Sequence, residues 1–281
     1  MNKLFEDRAK KYFGFKYEEF INKLSKPCTQ GFFLNTKKAD EKNIIDLIDF
    51  EYSESELTNS SYYHNCDGIG KTKAYQLGLI YPQEIAASIS STLIDFKEIK
   101  TVVDMCSAPG GKSINFINKL PDDTLFICND VNHLRSTILS SNLERLGLSN
   151  VIITNKKCDD LSKELNNYAD LVILDAPCSG EGMIRKYPEI LDEYSLENII
   201  ELSKIQESLL ENAYTMLRNN GILIYSTCTY AFEEDENQII NFLNKHKDIE
   251  IIPIKDKYES TLDGTIKLSP LNNTEGQFIC I

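Results

Sequence analysis

Two strings, Leu174-Asp-Ala-Pro-Cys-Ser-Gly180 and Tyr225-Ser-Thr-Cys-Thr-Tyr230, each put a cysteine just past an apolar, β-like run (Ala169 to Leu174 and Gly221 to Tyr225). In an open parallel sheet, ligands bind outside the carboxyl ends of the strands. On that geometry the thiols of Cys178 and Cys228 meet the carboxylate of Asp175 in one crevice. A thiolate is a strong nucleophile, and a carboxyl group beside it can hold or move a proton. The set therefore suits covalent attack on an electron-poor ring. Metal binding fits less well. The eight cysteines (28, 66, 106, 128, 158, 178, 228 and 280) form no C-x-x-C pair, whereas zinc ligands usually come in close pairs.

A third string, Asp104-Met-Cys-Ser-Ala-Pro-Gly-Gly-Lys-Ser113, sits between a strand and a helix. Paired glycines let the backbone approach a ligand and turn tightly into a helix N-terminus. Two chemistries use such a place. One is the phosphate loop G-x-x-x-x-G-K-[S/T], which Gly111, Lys112 and Ser113 fit, but Cys106 stands where its first glycine is required. The run Leu171 to Asp175 even resembles the strand that ends in a magnesium-holding Asp in nucleotide hydrolases. The other is a nucleoside-binding loop, which needs an acid at the end of the next strand to hold ribose hydroxyls. Asp130 supplies it, 19 residues after Gly111. A nucleotide hydrolase has no need of Asp130, Cys178 or Cys228, so the second reading is favoured.

The elements that must position these groups alternate from about residue 99. Strands are expected at Ile99 to Asp104, Thr124 to Cys128, Val151 to Thr154, Ala169 to Leu174 and Gly221 to Tyr225. Helices are expected from 111, over 132–146, 195–218 and 235–246. Two last strands, Ile249 to Ile254 and Gln277 to Ile281, have no helix between them and read as an antiparallel edge hairpin. This order predicts an α/β fold: a doubly wound, mostly parallel seven-stranded, Rossmann-like sheet. Residues 1–75 differ and read as a small N-terminal α/β lobe, with helical patterning at Phe5, Ala9, Tyr12 and Phe13 and at Tyr17, Phe20, Ile21 and Leu24, and a polar loop at 51–61. The domain division expected is 1–75 and 76–281.

Composition bounds the class. The chain has 281 residues, 42% of them apolar, which is ordinary for a globular protein. No run approaches the roughly 18 apolar residues of a membrane span. Glu6, Asp7, Arg8, Lys10 and Lys11 break up any apolar signal core, so a soluble cytoplasmic protein without membrane contact is expected. Nothing demands a dimer, and a monomer is expected. The net charge of −13 opposes contact with phosphates. The cations cluster, however, at Lys23, Lys26, Lys37 and Lys38, at Lys71 and Lys73, at Lys156 and Lys157, and at Arg185 and Lys186, which leaves a basic groove on an acidic body open. Cys28, Cys66, Cys128 and Cys280 read as reduced, mostly buried thiols. His64, His133 and His246 read as surface or packing residues.

With these motifs in order, the chain resembles the RNA (cytosine-5) methyltransferases of the NOL/NOP/Sun family. Asp104 to Lys112 looks like the family's S-adenosylmethionine loop. Asn129-Asp130 with Arg135, Asn142, Arg145 and Gly147 looks like its next strand and helix, and Lys157-Cys-Asp-Asp160 like the motif whose Asp meets adenine. Asp175 to Lys186 and Ser226 to Tyr230 match the two cysteine motifs. Tyr81 to Ser88 resembles the family's lead-in helix, and Gly276-Gln-Phe-Ile279 its closing strand. The stretch Gly182-Met-Ile-Arg-Lys186 is most similar to the bacterial branch acting on 16S ribosomal RNA.

The resemblance implies S-adenosylmethionine as cofactor and 5-methylcytosine in RNA as product. It makes Cys228 the nucleophile at cytosine C6, Asp175 the group at N3, and Cys178 the aid to product release. Cofactor contacts would come from Cys106, Ser107, Ala108, Pro109, Gly110, Gly111 and Lys112, from Asp130 at the ribose, from Asp159 at the adenine with Asp160 as adjacent rival, and from Asp175. Arg135 reaches the cofactor or pairs with a carboxylate. Arg185 and Lys186 are candidate RNA contacts. The expected partner is 16S rRNA or the 30S subunit, with tRNA as rival. Two further rivals are a non-catalytic RNA-binding assembly factor, which would not need both thiols, and a DNA-type cytosine methyltransferase, whose nucleophile would be Cys178. Two departures stand out. Phe32-Phe33-Leu34-Asn35 replaces the family's Arg-x-Asn, and the chain stops at the closing strand, where many bacterial relatives continue into an RNA-binding domain. That leaves open a small substrate, one presented by a larger particle, or sequence beyond Ile281.

Overall fold

The computed structural model describes residues 2–58, 61–254 and 261–281. Its strands are, in chain order, β1 (Gly31–Leu34), β2 (Tyr52–Glu54), β3 (Ser61–His64), β4 (Ile80–Pro82), β5 (Thr101–Asp104), β6 (Leu125–Asn129), β7 (Val151–Thr154), β8 (Ala169–Asp175), β9 (Leu217–Thr227), β10 (Ile266–Leu268) and β11 (Gln277–Cys280). They form a four-stranded sheet in the order β2-β3-β1-β4 and a seven-stranded sheet in the order β10-β11-β9-β8-β5-β6-β7. In the larger sheet β8, β5, β6 and β7 pair in parallel, with Val102 opposite Leu171 and Phe126. β11 pairs antiparallel with β9 on one side and with β10 on the other, Thr227 lying opposite Phe278. The mostly parallel seven-stranded α/β sheet is as expected.

Two local expectations are corrected. β11 pairs with β10, not with residues 249–254. Pro253 has no N–H to offer a ladder, and residues 251–254 take no regular structure, although the Ile252 N–H reaches the Ile281 carbonyl at 2.8 Å. The polar stretch at 51–61 contains β2: Tyr52, Ser53 and Glu54 pair with His64, Tyr63 and Tyr62. Ladder partners on β3, which begins at Ser61 of the same stretch, outweigh local polarity there. Residues 59 and 60 of that stretch lie outside the described residues.

Contacts divide the chain into two compact units. The first comprises Gln30–Asp175 and Asn212–Leu223. Within it, Ala169 to Leu174 are all at most 2% exposed, the continuous burial of a parallel strand covered on both faces. The helix Gly111–Lys119 starts at Gly110, whose φ is +112°. A Cβ there would lie 2.7 Å from the Leu139 Cδ1, so only glycine serves this turn. Beneath the smaller sheet, Phe32, Leu34, Ile44, Tyr62, Ala74, Leu79 and Ile80 form a second core.

The second unit comprises Met1–Thr29, Ala176–Glu211 and Ile224–Ile281. Its first helix, Lys3–Phe13, is capped by Asn2, whose side chain accepts from the Leu4 and Phe5 N–H groups. Phe5 and Ala9 pack with Phe20, Tyr194, Ile199 and Tyr230. Each fully buried large apolar side chain contributes about 1.5–3 kcal/mol. Arg185 is spent inside this unit. Its Nε and Nη2 donate to Glu275 at 3.0 and 2.7 Å and Nη2 also to the Thr274 carbonyl at 2.9 Å, with the two side chains 5% and 1% exposed. The expectation that Arg185 touches RNA is therefore corrected, while Lys186 is exposed, its Nζ over the Tyr187 ring. Beside this pair Gly276 donates to the Gly182 carbonyl at 3.0 Å, and a Cβ on Gly182 would stand 2.5 Å from the Gly276 Cα.

Among the described residues no helix is long and apolar enough to cross a membrane. Replacing Glu275 with alanine leaves a buried guanidinium without its counter-charge. Urea unfolding should then show a loss of about 3–5 kcal/mol; a loss below about 1 kcal/mol would mean that water or another acid satisfies Arg185.

Candidate active site

In the second unit, Cys228 directly follows the end of β9, and Cys178 stands three residues beyond Asp175. Their sulfurs are 3.2 Å apart. The Cys228 N–H points at the Cys178 sulfur at 3.3 Å. Next to them the Ser179 and Thr229 hydroxyls are bonded at 2.8 Å, and the Ala176 N–H meets the Ser226 carbonyl at 2.8 Å. The two cysteine loops are thus laced side by side, which brings together the thiols that the sequence places 50 residues apart. Both cysteines are half-buried. The neighbouring Cys228 sulfur, followed by burial and the Glu234 charge, pushes the Cys178 thiol well up.

In the first unit the glycine loop is built around buried polar groups. Asp104 ends β5 and accepts from the Ser113 hydroxyl at 2.6 Å and from the Cys106 N–H at 3.3 Å. The Ser107 N–H donates to the Asn129 carbonyl at 2.8 Å. Asn129 in turn donates to the carbonyls of Met105 and Lys156 at 3.2 and 3.0 Å. Asp130 is only 3% exposed. It accepts from the Asn132 N–H at 2.8 Å and faces Arg135 at 3.4 Å. Arg135 also donates to the Ala108 carbonyl, so its guanidinium ties the loop to the acid. Lys112 sits 2.9 Å from the Asp175 carboxylate. Pro109 is exposed and its carbonyl accepts from Asn142 at 3.1 Å. Asp159 accepts from Asn212 at 2.8 Å, whereas Asp160 faces Lys163 of its own helix. Gln83 offers one more group. Its Oε1 accepts from Asn115 at 3.0 Å. Its buried Nε2 has no hydrogen-bond partner among the described residues and lies 3.2 Å from where a Cβ on Gly111 would stand.

Phe33, which takes the place of the family's Arg, is buried against Tyr81 with ring centroids 5.5 Å apart. Asn35 is structural, donating to the Gly78 and Leu146 carbonyls at 2.8 Å each. Cys128 and Cys280 are buried, and Cys28 and Cys66 are half-buried. Burial holds the His64 imidazole below its usual value, His133 is exposed, and His246 faces Glu211 at 3.1 Å. Two buried acids carry no signal of their role in the sequence. Asp104 reads there only as the end of a strand. Glu234 lies in the acidic run Glu233 to Glu236, which by composition looks like a solvated surface, yet it is 0% exposed.

A glycine turn after β5 and a buried acid just past β6 give the larger sheet the architecture of the Rossmann-like methyltransferases. A solved structure of a methyltransferase homolog protein from Pyrococcus horikoshii has the same fold, with a TM-score of 0.87 and 27% identity over 100% of this chain and 94% of that one. The sequence profile of the 16S rRNA methyltransferase RsmB/F family matches residues 91–281, and that of the N-terminal domain of 16S rRNA methyltransferase RsmF matches residues 1–85. The chain belongs to the RsmB/F methyltransferase family. Ribosomal RNA small subunit methyltransferase F of Aliivibrio fischeri strain MJ11 is 32% identical over 280 residues, 93% of this chain but 59% of that protein. The tRNA (cytosine(49)-C(5))-methyltransferase of Pyrococcus abyssi is 32% identical over 282 residues, 93% of this chain and 90% of that protein. This chain therefore spans less than two thirds of the ribosomal relative.

Burial, helped by the nearby Asp175 charge, pushes the Asp104 carboxyl up to about 7, well above the usual carboxylate range. The folded state then holds a proton that the unfolded chain releases above about pH 4. Its stabilising contribution is complete below that pH and is lost as pH rises to about 7, a change of about 4 kcal/mol. Asp104→Asn should remove this slope: the wild-type stability minus that of the variant, from denaturant melts, should fall between pH 4 and 7. A difference flat across that window would mean that Asp104 is ionised throughout.

Proposed function

We propose that this protein is an S-adenosylmethionine-dependent RNA methyltransferase that makes 5-methylcytosine in 16S ribosomal RNA, free or within the 30S subunit. The observation that carries the reading is the pair of sulfurs at Cys178 and Cys228, 3.2 Å apart just past two strand ends. Membership of the family points the same way. Cytosine C5 is a poor nucleophile. Addition of the Cys228 sulfur to C6 moves the C5–C6 electron pair to C5 and splits one hard substitution into easier steps. Asp175, held by Lys112, meets the ring at N3 and stabilises the adduct. Once C5 carries the methyl group, Cys178 assists loss of the C5 proton; the C5–H electron pair re-forms the C5–C6 double bond as the Cys228–C6 bond breaks and the thiolate is regenerated. The base leaves its stack to reach these groups.

S-adenosylmethionine, when bound, supplies an electrophilic sulfonium methyl group. The residues present fit it. Gly110 and Gly111 let the backbone close in, and the buried Nε2 of Gln83, without a hydrogen-bond partner among the described residues, lies against the same loop. Cys106 to Lys112 would hold the methionine and ribose side, Asp130 and Arg135 the ribose side, and Asp159 the adenine side, where its fixed carboxylate is better prepared than Asp160. Residues 1–75 would serve as an RNA-binding lobe beside a methyltransferase domain at 76–281, in a cytoplasmic monomer. Transfer RNA is the second reading, favoured by the match over 90% of the Pyrococcus abyssi tRNA enzyme.

The test is methyl transfer from labelled S-adenosylmethionine to 30S subunits, naked 16S rRNA and bulk tRNA, with digestion to 5-methylcytosine. Signal on subunits or 16S rRNA is expected; signal on tRNA alone would overturn the substrate and keep the chemistry. Cys228→Ser should abolish transfer while leaving cofactor binding intact. Cys178→Ala should accumulate a covalent protein–RNA adduct, seen as a slow band on a denaturing gel. That band appearing for Cys228→Ala instead would swap the two roles. Asp130→Ala should weaken cofactor binding by about 1.5–3 kcal/mol, the scale of hydrogen bonds to a charged group. Unchanged affinity by calorimetry would remove Asp130 from the ribose.

A further inference from the structure

Gln206 lies on the long helix Leu196–Met216 and is fully buried. Its Nε2 donates to the Pro177 carbonyl and to Glu234 Oε2, at 2.8 Å each. The same Glu234 oxygen accepts the Ser179 N–H at 3.0 Å. Both neighbours of Cys178 in the chain are therefore held, Pro177 by its carbonyl and Ser179 by its N–H. The next residue does the same for the other loop. Asp235 accepts from the hydroxyl of Thr227, the residue before Cys228, at 2.5 Å. It is itself paired with the buried Lys267 at 2.8 Å. The Tyr225 hydroxyl, bonded to the Glu234 carbonyl at 2.6 Å, ties this acidic pair back to β9. Two consecutive acids thus brace the two thiol loops, one each.

A carboxyl and an amide buried this far from water are costly unless hydrogen-bonded, and packing alone would be served by apolar side chains. The bonds that justify them run to the backbone around Cys178. We propose that Glu234, with Gln206, is a positioning residue that sets the Cys178 thiol against Cys228, so that product release depends on it more than bond formation at C6 does. The release clause rests on the roles given to the two thiols under Proposed function; the positioning clause does not. The work is done by an accepting oxygen rather than by charge. Glu234 Oε1 has no hydrogen-bond partner among the described residues, so an amide at this position can keep the accepting oxygen and turn its NH2 to the unused side.

Three variants separate the possibilities: Glu234→Ala, Gln206→Met and Glu234→Gln. The first readout is oxidation of the thiol pair by diamide. Two thiols lose two protons and two electrons to the reagent's N=N bond, which becomes a hydrazine, and a Cys178–Cys228 disulfide forms. Peptide mapping by mass spectrometry identifies the bridge, and circular dichroism sets a temperature at which every variant is folded. Bridging should slow at least about tenfold in Glu234→Ala and Gln206→Met, and stay within about threefold of wild type in Glu234→Gln. Wild-type rates in both Glu234→Ala and Gln206→Met would overturn the positioning role, and Glu234→Gln as slow as Glu234→Ala would overturn the accepting-oxygen account. Should Glu234→Ala not fold, Gln206→Met carries the same comparison.

The second readout is single-turnover reaction with RNA. Turnover should fall about tenfold or more in Glu234→Ala and Gln206→Met. Covalent adduct should accumulate as in Cys178→Ala, with its rate of formation within about threefold of wild type. Formation and release falling in parallel would overturn the release assignment. If wild-type protein formed no adduct and no 5-methylcytosine on any RNA, the proposed function would fail, while the bridging rates would still decide whether Glu234 sets the thiols.

Discussion

In the parallel ladder, Asp104 lies opposite Cys128 on one side and Ile173 on the other. That register is a constraint on everything chemical in the first unit. Asp130 and Asp175 each follow the residue opposite Asp104 by two positions, so three acids leave the sheet at one end. A parallel ladder cannot slip by one residue without turning every side chain to the opposite face, and both faces here are apolar and covered. The glycine turn after Asp104 then has one direction in which to go. It closes against Asn129 and opens the helix Gly111–Lys119.

Charges that leave the sheet in this way must be satisfied in a medium that favours the neutral form. Each acid finds a different solution. Asp104 takes a hydroxyl and an N–H and is pushed up towards neutrality by burial. Asp130 takes a backbone N–H and Arg135. Asp175 takes Lys112. In the second unit Glu181 accepts from the Tyr230 N–H at 2.9 Å and from the Tyr194 hydroxyl, while Lys267 lies between Asp235 and Glu236. Asp104, Asp130, Asp170, Glu181, Glu234, Asp235, Glu236 and Glu275 are all buried. The net charge of −13 therefore overstates the negative surface that a polyanion would meet, although two cations, Arg185 and Lys267, are buried as well.

Motifs tied to strand ends and turns were legible in the chain. Each of Asp104, Asp130, Asp175, Cys178 and Cys228 sits at or just past the end of its expected strand, because an apolar run followed by a turn residue is a local signal. Elements defined by a ladder or ion-pair partner rather than by their own residues were less legible. The strand Tyr52–Glu54 is polar and exposed, and exists through its ladder with β3. The closing hairpin moved from 249–254 to 266–268 because a proline spoils one partner and another segment can take its place. Arg185 looked like a basic residue awaiting a phosphate, and Glu275, 90 residues later, is what claims it.

Residue order alone determined the fold class and the family, because alternating apolar runs and short loop motifs carry their meaning within a few neighbours. The 3.2 Å approach of the Cys178 and Cys228 thiols, the burial of Glu234 and Gln206 behind them, and the pairing of Arg185 with Glu275 were decided in three dimensions. Each depends on backbone segments tens of residues apart meeting at hydrogen-bond distance. Burial then makes such a meeting decisive, since a polar group removed from water is either matched by that partner or costs free energy.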